Sequence, residues 1–107
     1  MTVAGGDLFV ANYNGGSVTE VNASTGALVR LLSAPAYQFN QPDAMAVADG
    51  DLWVASYNGG SVTELDASTG APVSVAYEFS GPDALAVAGT HVFVADWGSN
   101  SVTEIPI

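Results

Sequence analysis

Residues 6 to 26 and 50 to 70 carry nearly the same sequence, and this constrains the fold more than any other feature of the chain. The second copy reads Gly-Asp-Leu-Trp-Val-Ala-Ser-Tyr-Asn-Gly-Gly-Ser-Val-Thr-Glu-Leu-Asp-Ala-Ser-Thr-Gly. The first copy differs at Phe9, Asn12, Val21 and Asn22 alone, and a degraded third copy occupies residues 90 to 105. A chain that repeats itself this closely is an array of one supersecondary unit. The tetrad Ser-Val-Thr-Glu recurs at Ser17, Ser61 and Ser101, with spacings of 44 and 40 residues. The difference of four falls between Gly26 and Pro42, and an insertion of this kind is expected in a loop.

Short apolar runs separated by Gly, Asn and Asp turns at this period predict four-stranded blades of a β-propeller. Helical repeats of similar length need apolar residues at i, i+3 and i+4, and this chain has no such pattern. The first strand of each unit is predicted at Thr2 to Ala4, Asp43 to Ala48 and Asp83 to Ala88. Its alternation of small and large residues suits an innermost strand, where blades crowd an axis. Tight turns follow at Gly5-Gly6, Asp49-Gly50 and Gly89-Thr90; Asp-Gly accepts the positive φ of a two-residue hairpin. The second strand is predicted at Leu8 to Tyr13, Leu52 to Tyr57 and Val92 to Trp97. It lacks polar alternation, so both faces are expected to be covered, with Phe9, Trp53 and Phe93 in the core. The third covers Ser17 to Val21, Ser61 to Leu65 and Ser101 to Ile105. Asn22 and Asp66 are expected to close Asx turns, with Gly26 and Gly70 at positive φ. The fourth covers roughly Leu28 to Leu32 and Val73 to Phe79; the last unit has none.

The expected fold is therefore all-β, a single partial propeller over residues 1–107. Its blades are about 1–41, 42–81 and 82–107, the last lacking its outer strand. That is about 2.75 blades.

Composition removes whole classes of function. Arg30 is the sole Lys or Arg against eleven Asp and Glu, a net charge of −10. Nucleic acid is excluded as a partner because phosphate neutralisation needs cations the chain lacks. An anionic membrane surface is disfavoured for the same reason. No cysteine is present, so disulfides and thiolate metal sites are out. No run approaches 18 apolar residues, and no basic segment precedes an apolar one. The Asn22-Ala23-Ser24 sequon is read as chance.

Val-Phe-Val-Ala-Asp-Trp-Gly-Ser-Asn-Ser-Val-Thr-Glu-Ile (92 to 105) resembles the repeats of the YVTN and NHL families of β-propellers. Pro-Asp-Ala-Leu-Ala-Val-Ala (82 to 88) is similar to their inner-strand sequence. The resemblance implies the fold over the whole chain. It implies little about activity, because such propellers include lactonases, lyases and pure interaction platforms. Family members usually carry a complete ring, and this chain encodes an arc.

An arc leaves the flat faces of its end blades bare. If each hides on the order of 400 Å² of apolar surface when covered, burial at about 25 cal/mol/Å² contributes roughly 10 kcal/mol. Ordinary domains are stable by about 5–15 kcal/mol. A head-to-tail C2 homodimer forming a six-bladed ring is the first expectation. Three copies making about eight blades come second, and a fragment of a longer propeller third. Met1 and the ending Pro106-Ile107 favour a complete polypeptide.

Asp43 and Asp83 precede the inner strands and are expected near one mouth of the channel. They would cap their own turns or, converging, hold Ca²⁺. Tyr13, Tyr57 and Trp97 occupy equivalent positions before Gly-rich loops. They would pack between blades or stack a sugar ring, as in propeller lectins. Glu20, Glu64 and Glu104 recur in every unit, which points to a structural or solvated role, since an active site needs asymmetry. His91 is expected exposed and passive, and Asp49-Gly50-Asp51 is read as a hairpin turn. No nucleophile elbow, phosphate loop or His/Cys ligand pair is present. The expected function is a non-catalytic oligomeric propeller acting as an interaction or ligand-binding scaffold, with no required cofactor. The alternatives are a lectin-like glycan binder using the loop aromatics and a metal-dependent lactonase- or lyase-like enzyme with its site in the channel.

Overall fold

Eleven strands form in the expected order. The computed structural model describes every residue, Met1–Ile107. Blade 1 contains β1 (Thr2–Ala4), β2 (Asp7–Asn12), β3 (Ser17–Asn22) and β4 (Leu28–Leu32). Blade 2 contains β5 (Pro42–Ala48), β6 (Asp51–Ser56), β7 (Ser61–Asp66) and β8 (Pro72–Ala76). Blade 3 contains β9 (Pro82–Ala88), β10 (His91–Asp96) and β11 (Ser101–Pro106). Each blade is an antiparallel meander in sequence order, two of four strands and one of three.

The hairpin chemistry explains the sharp turns. Asp49 and Gly50 both take positive φ, 51° and 79°, as do Gly5 and Gly6 at 57° and 84°. After the third strand, Asn22 Oδ1 accepts from the N–H groups of Ser24 and Thr25, and Asp66 Oδ1 from Ser68 and Thr69. The Ser68 hydroxyl and these N–H groups hold the Asp66 carboxyl below the usual carboxylate range. The Gly60 loop is tighter. Gly60 has φ +62°, and an added Cβ would meet the Phe79 carbonyl oxygen at 2.7 Å. Gly60→Ala should therefore cost about 1–3 kcal/mol in thermal unfolding, from left-handed strain plus displacement of that carbonyl.

The three blades stack through two cores. Paired residues on adjacent strands share a face, so the register assigns each side chain to one seam. Phe9, Val18 and Leu32 of blade 1 meet Leu52, Val54 and Leu65 of blade 2. Trp53, Ala55 and Val62 on the other face of blade 2 meet Val92 and Val94 of blade 3. Every blade thus presents a Phe/Trp face forward and a Leu/Val face backward. Blade 2 is covered on both, and its residues Leu52 to Ser56 are all buried.

Three expectations need correction. Phe93 is only half-buried, because it lies on the forward face of blade 3, which has no neighbour. The fourth strand of blade 2 ends at Ala76, short of Phe79, because Glu78 takes φ 77° and breaks the extended run. Tyr13, Tyr57 and Trp97 fall just past β2, β6 and β10, in the turns. The extra residues after Gly26 fall in the connection between β4 and β5, as expected, where a 3-10 turn, Pro35–Tyr37, forms and leaves Tyr37 7% exposed. Its ring stacks on Phe39 at 5.0 Å, its hydroxyl donates to the Gly70 carbonyl, and its carbonyl accepts from Thr63 Oγ1 at 2.6 Å. This connection is a clamp from blade 1 onto the outer part of blade 2.

Candidate functional site

Asp43 and Asp83 are the extra residues of matching β-bulges. Pro42 pairs with Ser56 and Ala44 with Ala55, leaving Asp43 unpaired; Pro82 pairs with Asp96 and Ala84 with Ala95, leaving Asp83 unpaired. Bulges re-aim side chains and recur beside functional sites. Inner strands β5 and β9 are in contact. Burial, and then the Asp83 charge, push the Asp43 carboxyl up to about 6. Its Oδ1 is buried without a hydrogen-bond partner. The Asp83 charge thus acts on Asp43 across the contact between β5 and β9. No group of three or more His, Asp or Glu suited to a metal ion forms anywhere in the chain.

The loop aromatics divide. The Tyr57 N–H donates to the Gln41 carbonyl and the Trp97 N–H to the Gly81 carbonyl, at 2.9 and 3.1 Å. These bonds pin each residue to the strand connection beside it. Tyr57 and Trp97 then face each other across the seam between blades 2 and 3, centroids 6.3 Å apart and tilted 49°. Trp97 remains 66% exposed. Tyr13 is exposed as well and takes no part in this pair. Packing between blades thus describes Tyr57 well and Trp97 only at its edge.

A further cluster, between blades 1 and 2, emerges only in three dimensions. A cavity of about 440 Å³ there is lined by Asp7, Glu20, Arg30, Val47 and Ser68, among others. Glu20 is 2% exposed, so the solvated alternative fails for it. Burial, and then the Asp7 carboxyl, push its pKa to about 7, against the opposing pull of Arg30. Arg30 Nε lies 2.9 Å from Glu20 Oε1, and Arg30 Nη2 donates to the Ser68 carbonyl at 3.2 Å. The chain's single cation thus ties the two blades together. In blade 2 the same positions hold Asp51, Glu64 and Ser74. Burial and the Asp51 carboxyl push Glu64 to about 7, and Ser74 Oγ donates to it at 3.1 Å. In blade 3, His91 replaces the Asp and lies 3.4 Å from Glu104, on the open face. The clue in the sequence was the fixed Asp-to-Glu spacing, which in a hairpin places both carboxyls side by side.

No protein-family model matches this sequence. No curated protein matches it either. Solved structures do. The computationally designed Ika4 protein aligns with a TM-score of 0.80 at 16% identity, over 99% of this chain and 63% of that one. The WD40 β-propeller domain of Doa1 aligns at 0.81 and 14% identity, over 97% of this chain and 34% of that one. Hydrazine synthase of Kuenenia stuttgartiensis aligns at 0.71 and 22% identity, over 96% and 33%. The chain is a partial β-propeller. It spans less than two thirds of each of these structures, and at such identity the likeness concerns the fold alone.

Proposed function

We propose that this chain is a non-catalytic propeller module whose arc is completed head to tail by a second copy, giving a six-bladed interaction scaffold. One observation carries the reading: the two bare faces match the two partners of the seams already formed. The backward face of blade 1 offers Leu8, Val10 and Val21, with exposed Val3, Leu28 and Leu31 on the same side by register. These correspond to Leu52, Val54 and Leu65, which cover Phe9 in the first seam. The forward face of blade 3 offers Phe93, Ala95 and Val102, the counterparts of Trp53, Ala55 and Val62. A second copy therefore repeats an interface the chain makes twice within itself, and C2 closure leaves neither face open. A likeness to YVTN and NHL repeats fits the same reading.

Light scattering checks it. The expected mass is twice the 10.8 kDa of one chain. Val102→Asp places a charge in the new seam and none in the two internal ones. It should shift the mass toward one chain while leaving the circular dichroism spectrum unchanged. A wild-type protein that stays a single chain at about 100 μM would overturn the proposal, because association follows mass action and this concentration favours it.

A second reading rests on Trp97 and Tyr57, whose tilted rings form an exposed ledge beside polar loops. Such a ledge suits stacking of a sugar ring. A glycan array read with wild type and with Trp97→Ala tests it, the expected result being signals that the substitution removes.

A further inference from the structure

We propose that the cleft between blades 1 and 2 binds a small organic cation, its ammonium group at Glu20 and Asp7 and its apolar body against Ala4, Val47 and Ala67. The cleft lies between two blades of one chain, so it does not depend on what adjoins the outer faces of blades 1 and 3.

Blade 1 supplies the charges. Asp7 and Phe9 project to one side of β2, Glu20 lies opposite Phe9, and Arg30 lies opposite Glu20. The two carboxyls and the guanidinium therefore share the forward face. Blade 2 supplies the facing wall, through Val47, Gly50, Ala67 and Ser68, none of them titratable. That wall is tied together, because the Ala67 N–H donates to the Gly50 carbonyl at 3.0 Å. The space between is about 440 Å³, within the range of small-molecule sites.

A buried carboxyl oxygen in this cleft lacks its hydrogen bond. Glu20 is 2% exposed, and its Oε1 accepts from no donor. Arg30 Nε stands 2.9 Å from that oxygen with its N–H off line, and Arg30 Nη2 is committed to the Ser68 carbonyl. In blade 2 the equivalent Glu64 does receive a donor, the Ser74 hydroxyl. Arg30 stands where Ser74 does, so Glu20 has charge beside it where Glu64 has a hydrogen bond. A buried acceptor left without a donor is unfavourable, and a ligand that brings donors relieves it.

Charge selects the ligand. Two carboxyls share one guanidinium, so the cleft carries one surplus negative charge when both are ionised. Burial and the Asp7 carboxyl push Glu20 to about 7, so a proton held between the carboxyls covers that surplus at neutral pH. An ammonium group brings the same charge with three donors and takes the proton's place. An anion would meet both carboxylates, with Arg30 already engaged. A calcium ion takes about six to eight oxygens, and no third carboxyl or imidazole joins Asp7 and Glu20.

The test is a titration of the protein with n-butylammonium to about 20 mM, a range suited to so small a probe, read as amide chemical shifts in proton–nitrogen NMR spectra. Butanol and butyrate are the neutral and anionic counterparts. The expected result is saturable shifts at Gly5, Asp7, Glu20, Gly50 and Ser68 with n-butylammonium and none with the other two. The affinity should rise about tenfold between pH 6 and pH 8, because the cation displaces one proton from a carboxyl near 7. Glu20→Gln keeps the shape and an acceptor. It should weaken binding about tenfold and remove the pH dependence. Asp7→Asn should weaken binding as well, and either variant suffices should the other fail to fold. Glu78→Gln, on an exposed connection, should change nothing. Absence of saturation, equal shifts with butanol, shifts scattered over the acidic surface, an affinity constant from pH 6 to pH 8, or binding that survives both cleft substitutions would overturn the proposal.

Discussion

Trp53→Ala should lower the free energy of urea unfolding by about 3–5 kcal/mol, whereas Trp53→Phe should cost about 1 kcal/mol or less. Trp53 is 4% exposed and packs with Ala55 and Val62 against Val92 and Val94 of blade 3. Alanine there removes the largest side chain of the second seam, and flat sheets held by their hairpins cannot collapse to fill the space. The loss approaches the total stability of a small domain, about 5–15 kcal/mol. Phenylalanine behaves differently for two reasons. It is the residue at both equivalent positions, Phe9 and Phe93. It also removes the indole N–H, which is buried with no hydrogen-bond partner. An unpaired buried donor costs about 1–3 kcal/mol, offsetting part of the lost apolar contact. Circular dichroism against urea measures both. Equal losses for alanine and phenylalanine would show that the seam between blades 2 and 3 is not formed as described.

The repeat made the strands legible because it aligned three copies of every local signal. Asp49-Gly50, Asn22 and Asp66 declare their turns through side-chain chemistry, and each turn formed where that chemistry placed it. What local signals could not give was the identity of a neighbour. Phe93 has the same surroundings in sequence as Phe9, yet one is half-buried and the other buried, because only Phe9 has a blade in front of it. Tyr37 and Tyr77 likewise differ by a neighbour, because only the Tyr37 hydroxyl reaches a carbonyl of the next blade, that of Gly70. The four extra residues of the first unit do lie in a connection, and only the 3-10 turn within it was illegible, because such a turn has no period to detect. Recurrence left Glu20 either structural or solvated, and the structure decides for the first. Its burial follows from facing forward beside Val18, an alternation that the register shows and that composition hides. The influence of the Asp83 charge on Asp43 follows from their equivalent positions on adjacent inner strands, which are in contact.

Stability should fall as pH rises from about 4.5 to 7, the reverse of what paired carboxylates produce. Glu20 and Glu64 are each pushed to about 7, and Asp43 to about 6, in every case first by burial. A carboxyl whose pKa is higher in the folded chain than in the unfolded one keeps a proton that the unfolded chain has released. Between the two values the folded state binds more protons, so the slope of stability against pH is negative. The stabilisation is complete below about 4.5 and is gone above about 7. Asp66 acts oppositely. Its lowered pKa costs stability only as pH falls through the acid range, outside this window. Each tenfold change in a proton's binding constant corresponds to about 1.4 kcal/mol. Solvent reaches the cleft that holds Glu20, and Glu64 is only partly covered. Screening there reduces the contribution to about 1 kcal/mol per group. Three groups then give about 2–3 kcal/mol, or on the order of 10 °C in Tm for a domain of this size. The net charge of −10 works in the same direction, since deprotonation adds to self-repulsion. Glu64→Gln separates the local cause from the global one. Glutamine keeps the acceptor for Ser74 Oγ and leaves Asp51 without a competing charge. Thermal melts should show the variant about 1 kcal/mol more stable than wild type at pH 8 and indistinguishable from it near pH 4.5, whereas a control such as Glu78→Gln, on an exposed connection, should leave the difference between the two pH values intact. A wild-type protein more stable at pH 8 than at pH 5 would mean that these carboxyls are ionised in the folded chain, and that Arg30 dominates the surroundings of Glu20 instead of Asp7.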